Sequence, residues 1–128
     1  MKKVSSIVSA LALALGLTVA LTPAANAACT GKLKIAYQGP LTGPEAALGL
    51  NELRGVQFAV KKSGLDIEVK EVDDQGDPAV AGPIAPSVPQ DECVVALVGP
   101  AYSGASRVSL PVYLSAGLPI ITPSATNP

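Results

Sequence analysis

Four short apolar runs, separated by stretches rich in turn-forming residues, dominate the pattern after residue 28. They span residues 33–38, 67–72, 94–98 and 119–122. The last two runs are continuous, rich in β-branched residues, and stop abruptly in Gly, Pro, Ser and Thr. Such runs are typical of strands in a parallel sheet that is covered on both faces. The pattern therefore predicts four strands, the second with a wetter face because charged residues alternate along it.

The segment between the first two strands is predicted to contain a helix. Leu53, Val56 and Val60 recur three and then four residues apart, which is the spacing of one helix face. Asn51 has the residue type of an N-cap, and Gly64 has that of a C-terminal stop. The turn-rich stretch before Asn51 is therefore expected to be a loop.

The two later connections differ in their proline content. Pro83, Pro86 and Pro89 interrupt residues 79–90, and each removes a backbone donor and crowds the preceding turn. This predicts a short first helical turn followed by an extended or irregular segment. The pattern of residues 105–116 predicts a regular helix, which contains a single proline, Pro111. Its packing face is expected to comprise Val108, Val112 and Leu114.

The order of elements, β-α-β-irregular-β-α-β with short linkers, predicts an α/β fold. Such an order implies a parallel, doubly wound sheet with right-handed crossovers, in which the first and third strands lie side by side. Open α/β sheets bind their ligands outside the carboxyl ends of the strands. Ligand contacts are therefore expected in the loops that follow the four strands.

The first 27 residues have the organisation of an export signal. Two lysines precede the apolar run 7–21, and residues 25–27 supply the small-x-small pattern that precedes cleavage. We expect cleavage after residue 27, leaving residues 28–128 as the mature chain. Two alternatives stay open at this point: an uncleaved anchor, and a lipid-modified Cys29 at the new terminus.

Composition excludes several classes of function. Residues 28–128 carry 7 basic against 10 acidic side chains, a net charge of −3, which argues against nucleic acid or an anionic membrane surface as a partner. The chain has no His to complete a zinc site or to activate a hydroxyl nucleophile. We therefore expect that the protein binds neither a metal nor a cofactor and that it is not an enzyme.

Two motifs resemble functional sites without meeting their requirements. Residues 99–106 space their glycines as a phosphate-binding loop does, but Ala105 stands where that loop needs Lys. Three acidic residues after the second strand lack the spacing of a calcium loop and suit turns and helix capping better. They are Asp73, Asp74 and Asp77.

Neutral hydroxyl groups follow the first, third and fourth strands. They belong to Thr42, Ser103, Ser124 and Thr126. Ser103 comes just ahead of a predicted helix N-terminus, which favours an anionic group such as a carboxylate. Such groups can hold a small zwitterion without catalytic machinery. From spacing alone, this hypothesis and a purely local role in loops and caps are equally supported.

Four segments together resemble a known family. In order, they read KIAYQGPLTG, EVDDQGDP, VVALVGPAYSGA and GLPIITPSATNP. They resemble the start of the branched-chain amino acid (leucine-type) solute-binding proteins of ABC importers, especially actinobacterial members, across residues 32–128. The resemblance implies a two-lobed type I periplasmic-binding fold, of which residues 28–128 would form the front half of the first lobe.

The same resemblance implies an extracytoplasmic function and a site. The ligand would be an amino acid like leucine, isoleucine or valine, and the partner an ABC permease in the membrane. Ser103, Ser124 and Thr126 match positions that hold the α-carboxylate and α-amino groups. Tyr102 replaces a smaller residue of some relatives and is expected to bind the ligand and reshape the pocket, and Leu48 replaces an aromatic residue. A ligand-sensing receptor domain on the same fold is the alternative.

The two cysteines are predicted to form a disulfide. Cys29 and Cys93 precede the first and third strands, so both lie near the amino ends of strands expected to be neighbours. The spacing of adjacent strands suits a disulfide, and exported proteins meet an oxidising environment. The alternative is two unpaired thiols.

Overall fold

A computed structural model describes residues 29–127, so the predicted signal and its cleavage site lie outside the described residues. Four parallel strands form one sheet in the order β2-β1-β3-β4. The strands are β1 Leu33–Gly39, β2 Ile67–Asp73, β3 Val94–Val98 and β4 Ile120–Ile121. The helices are α1 Ala46–Ser63, α2 Pro78–Ile84 and α3 Ser103–Ser115, with a 3-10 turn at Ala85–Ser87.

Helices cover both faces of the sheet, as the doubly wound prediction requires. Along β1, Ala36 belongs to the core beneath α2 and α3, whereas its neighbour Tyr37 belongs to the core beneath α1. Successive side chains of a strand point to opposite faces, so β1 is buried from both sides. The predicted parallel sheet, with β1 beside β3, is therefore confirmed.

Helix α1 begins earlier than its capping signal indicated. Glu45 occupies the N-cap position, and Asn51 lies inside the helix, where it accepts a hydrogen bond from Arg54. The prediction of an Asn51 cap was wrong because it placed the helix start just before Leu53, the first large apolar residue of the buried face. The helix extends a further turn toward its N-terminus, where Gly49 is also buried. The end at Gly64 is confirmed, since its left-handed φ of 69° suits glycine.

The proline-rich connection is more helical than predicted. Asp77 caps α2 by accepting a hydrogen bond from the Ala79 amide over 2.8 Å, and Pro78 follows in the first turn, where its missing N–H costs nothing. The helix continues past Pro83 into the 3-10 turn, so the expected extended segment is absent here. Burial of Ala81 and Ala85 against the core offsets the lost backbone bond.

The packing face of α3 was predicted wrongly. Val108 is 39% exposed and Leu114 67% exposed, and only Val112 of the three packs against the core. The buried face instead comprises Ala105, Ser106, Ser109 and Tyr113. The two serines are buried because each donates to a carbonyl oxygen, which satisfies its hydroxyl group.

The amino edge of the sheet carries the predicted disulfide. Cys29 and Cys93 are bonded, with their Cα atoms 4.7 Å apart. The Lys34 amide donates to the Cys93 carbonyl over 2.7 Å, so the residue that precedes β3 is also held to β1. No helix within residues 29–127 is long and apolar enough to span a membrane.

Ion pairs provide a second link between the strands at this edge. Asp91 accepts hydrogen bonds from the ammonium groups of Lys34 on β1 and Lys70 on β2, over 2.9 and 3.1 Å. The hydrogen bond from Lys34 has the largest effect on the pKa of Asp91 and outweighs the opposing effect of desolvation. Together with the smaller effect of the bond from Lys70, it lowers this pKa to about 2. One carboxylate therefore joins the start of β3 to the two neighbouring strands.

We expect Asp91→Asn to lower the free energy of unfolding at pH 7 by roughly 1–2 kcal/mol, because the ion pairs are partly screened by solvent. The pKa lies below its ordinary value of 3.8, so this stabilisation is complete above that value and disappears as the pH falls toward 2. Denaturant unfolding between pH 7 and 2 measures it. Asp66→Asn is the control, because its ion pair with Lys32 is exposed. A pH-independent difference would contradict the assignment.

Candidate ligand site at the carboxyl edge of the sheet

The loops after the four strands meet at one edge of the sheet. Residues 40–45 follow β1, residues 74–77 follow β2, residues 99–102 follow β3, and residues 122–127 follow β4. Because all four strands are parallel, their carboxyl ends face the same side. Tyr102 and the hydroxyl residues of the predicted ligand site all lie in these loops or in the first turn of α3.

Ser103 is the first residue of α3. The helix has Tyr102 at its N-cap position and no side-chain cap, so the amide groups of its first turn lack the partner that Asp77 gives to α2. The Ser103 hydroxyl oxygen accepts from the Asn127 amide over 3.1 Å, which leaves the hydroxyl proton available to donate. Hydroxyl and amide donors therefore converge at an uncapped helix N-terminus.

The loop after β4 folds over the loop after β3. Ser124 donates its hydroxyl proton to the Ala101 carbonyl over 2.6 Å, and Thr122 donates to the Pro100 carbonyl over 2.9 Å. Thr126 is exposed, close in sequence to the bond between Asn127 and Ser103. The fold thus brings the segment holding Ser124 and Thr126 to Ser103, while the Ser124 proton is used within the loops.

Thr42 has a local role. Its hydroxyl donates to Asp73 over 2.5 Å, and Asp73 also accepts from the amides of Leu41, Thr42 and Gln75. Burial alone would raise the pKa of Asp73, but these hydrogen bonds, led by that of Thr42, lower it. Asp73 therefore fastens the loop after β1 to the end of β2, and the loop interpretation of Thr42 is favoured.

The neighbouring acidic residues also have structural partners. Asp77 caps α2, as predicted, and the buried Asp74 accepts from the Gly76 amide over 2.9 Å. Burial raises the pKa of the Asp74 carboxyl above its ordinary value. Within residues 29–127, no group of three or more His, Cys, Asp or Glu residues is arranged to hold a metal ion.

Tyr102 and Leu48 occupy the two positions where the sequence departs from the family pattern. The half-buried Tyr102 donates its hydroxyl proton to Glu45 over 3.0 Å, and its ring lies against Gly76. Burial, followed by this bond to Glu45, raises the pKa of the Tyr102 phenol. Leu48 lies in the first turn of α1 and is 39% exposed. Tyr102 thus spans neighbouring loops.

A buried polar network behind the loops was not anticipated. Gln38, at the end of β1, donates to Asp74 and to Ser109, each over 3.2 Å, and accepts from the Tyr113 hydroxyl. These four side chains are fully buried, and together they join β1, the loop after β2, and α3. A glutamine at the end of a mainly apolar strand was the available signal, because a buried amide requires several partners.

Comparison with known proteins shows the family. A family described as "Periplasmic binding protein" matches residues 32–128, nearly the whole of the described chain. The chain belongs to the periplasmic binding protein family. Homologues in this family act outside the cytoplasm.

Specific relatives bind branched-chain amino acids. The leucine-, isoleucine-, valine-, threonine-, and alanine-binding protein of Pseudomonas aeruginosa is 34% identical over 103 residues, which cover 75% of this chain and 27% of that protein. The Leu/Ile/Val-binding protein of Escherichia coli K12 is 30% identical over 110 residues, which cover 80% and 30%. The branched-chain amino acid transporter substrate binding protein of Streptococcus pneumoniae, solved with isoleucine, is 34% identical with a TM-score of 0.68, over 76% of this chain and 30% of that one.

These similarities confirm the sequence-based family resemblance and the type I fold. The chain spans less than a third of the length of the three relatives. All three are amino-acid-binding proteins, and none is described as an enzyme or as a receptor. The receptor alternative therefore gains no support from them.

Proposed function

We propose that this protein is the first part of an extracytoplasmic solute-binding component that delivers branched-chain or similar amino acids to an ABC permease. On this proposal, residues 28–128 form the N-terminal part of the first lobe, in agreement with the share of the relatives' length that they match. The relatives' described ligands support an amino acid as the solute.

The observation that carries the proposal is the uncapped N-terminus of α3 with the Ser103 hydroxyl in its first turn. Unpaired amide groups and the helix dipole favour a negatively charged group at this position. A ligand carboxylate there would accept from Ser103, and the exposed Thr126 offers a second hydroxyl donor from the loop after β4. Ser124 would contribute by holding that loop in place through its bond to Ala101.

The disulfide also bears on how the amino terminus is processed. The sulfur of Cys29 is bonded to Cys93, and a sulfur atom in a disulfide cannot also form the thioether of a lipid anchor. This favours simple removal of residues 1–27 over lipid attachment. A protein that binds and releases an amino acid needs no catalytic base, in agreement with a sequence that lacks His.

We expect isoleucine to shift the backbone amide resonances of residues 103–106 and 124–127 in a titration of the ¹⁵N-labelled protein. Ser103→Ala should weaken the binding about tenfold, since it removes a hydrogen bond to a charged group. Ser115→Ala is the matched control, because it removes a hydroxyl from the exposed end of the same helix. NMR is the suitable method because it assigns each shift to a residue and also detects weak binding.

Two ligand analogues locate the recognised group. Isoleucinamide lacks the carboxylate and should leave the same resonances unchanged, whereas a carboxylate without an amine, such as benzoate, should still shift residues 103–106 and 124–127, because Ser103 and Thr126 both donate to the carboxylate and Asn127 is bonded to Ser103. Equal shifts from isoleucine and isoleucinamide would contradict the carboxylate assignment. No response to any of the three compounds would contradict the proposed function itself.

A further inference from the structure

Three of the loops at the carboxyl edge meet at one side chain, that of Tyr102. Its hydroxyl donates to Glu45 over 3.0 Å, and Glu45 directly precedes α1 in the loop after β1. Its ring lies against Gly76 in the loop after β2, where an added Cβ would be 3.2 Å from a ring carbon. Tyr102 itself ends the loop after β3, and its carbonyl accepts the Ser106 amide of α3 over 2.8 Å.

Gly76 makes a second contact besides the one with Tyr102. The Gly76 amide donates to Asp74, which is anchored in the buried network through Gln38, and a Cβ added at Gly76 would meet the Tyr102 ring. Gly76 has a φ of 73°, a conformation that suits glycine, and a side chain at this position would crowd the ring. The loop after β2 is therefore fixed between the core and Tyr102.

We propose that Tyr102 is a positioning residue for ligand binding, which holds the loops after β1 and β2 against the start of α3 before the ligand arrives. This inference rests on the proposed carboxylate site at Ser103, the residue that follows Tyr102. Its contribution is preorganisation: loops already fixed by Tyr102 lose less conformational freedom when the ligand binds. Tyr102 acts through its contacts with Glu45 and Gly76, which fix the two loops that they belong to.

Substitutions separate the two contacts of Tyr102. Tyr102→Phe keeps the ring on Gly76 and removes only the hydroxyl. Glu45→Ala removes the acceptor of the same hydrogen bond, whereas Glu45→Gln retains a carbonyl oxygen that can accept it. Gln57→Ala is the matched control, because it removes another side-chain hydrogen bond of α1, to Glu71 on β2, away from the ligand loops.

The experiment combines isoleucine titration with amide hydrogen exchange, both on the full chain. We expect Tyr102→Phe and Glu45→Ala each to weaken isoleucine binding about three- to tenfold, with the double variant no weaker than the single ones, because both remove one hydrogen bond. Glu45→Gln should restore most of the affinity. Exchange of the Ala46 amide, next to Glu45, should become faster in Tyr102→Phe, whereas that of the Gly76 amide should stay the same because the ring contact is retained; both should remain unchanged in Gln57→Ala.

The outcomes distinguish this inference from the proposed function. Isoleucine binding that is equal in the wild type and in Tyr102→Phe would overturn the positioning role and leave the carboxylate site intact. Additive losses in the double variant would also overturn it. If the wild type binds no isoleucine, the proposed function fails, and unchanged exchange of the Ala46 amide in Tyr102→Phe would then reject the link between the loops as well.

Discussion

Replacing both Cys29 and Cys93 by serine is expected to lower the free energy of unfolding by about 4 kcal/mol, the largest effect of any change considered for this protein. The disulfide joins residues 64 positions apart. Without it, the unfolded chain between these residues gains conformational entropy, which favours the unfolded state. Native domains are stable by only about 5–15 kcal/mol, so this variant should unfold at a much lower denaturant concentration.

Guanidinium unfolding of the oxidised protein, the reduced protein and the double serine variant measures the effect. The reduced protein and the variant should agree with each other, because both lack the same covalent link. The bond lies at the amino edge of the sheet, opposite the ligand loops, so the folded variant should show the same amide shifts with isoleucine. A difference in stability below about 1 kcal/mol would show that the bridge does not constrain this chain.

Gly49→Ala is expected to lower the free energy of unfolding by roughly 3 kcal/mol. Gly49 is buried in the first turn of α1, and an added Cβ would lie 2.6 Å from the carbonyl carbon of Pro40, with the carbonyl oxygen closer still. Backbone atoms cannot swing aside as a flexible side chain would. The helix must therefore move away from the loop after β1, which is part of the candidate site.

Gly55→Ala provides a matched control in the same helix. Nothing lies within 4 Å of a Cβ at Gly55, and alanine favours the helix over glycine, so this variant should gain about 0.5–1 kcal/mol. Thermal unfolding of both variants tests the pair. A loss of stability in both would mean that α1 is sensitive to any change, and that the close approach of Gly49 to Pro40 is not the cause.

The strand pattern was predictable because burial on both faces leaves a strong mark on composition. The boundaries of β3 agree with the continuous apolar run at residues 94–98, and the parallel order follows from the short connections between elements. The disulfide was predictable for the same reason, since strand adjacency placed Cys29 near Cys93. Local apolar pattern and topology rules were sufficient for these features.

The helices were less predictable because their buried faces are partly polar. Ser106 and Ser109 are buried on α3 with their hydroxyl groups bonded to carbonyl oxygens of other segments, whereas Val108 and Leu114 face outward. Hydropathy favours the opposite assignment, because it does not include distant hydrogen-bond partners. The start of α1 was missed because Gly49 packs against Pro40, a contact that helical periodicity does not reveal.

The sequence by itself determined the parallel α/β class, the family, the pairing of the cysteines and the hydroxyl residues at the carboxyl edge. Each of these depends on residue types in a local order, which the chain displays directly. Only the tertiary structure decided that Thr42 is tied to Asp73, that Ser103 stands at an uncapped helix end, and that Tyr102 joins Glu45 to Gly76. These contacts link residues that are far apart in the chain, and their partners become neighbours only when the sheet brings the carboxyl ends of its strands together.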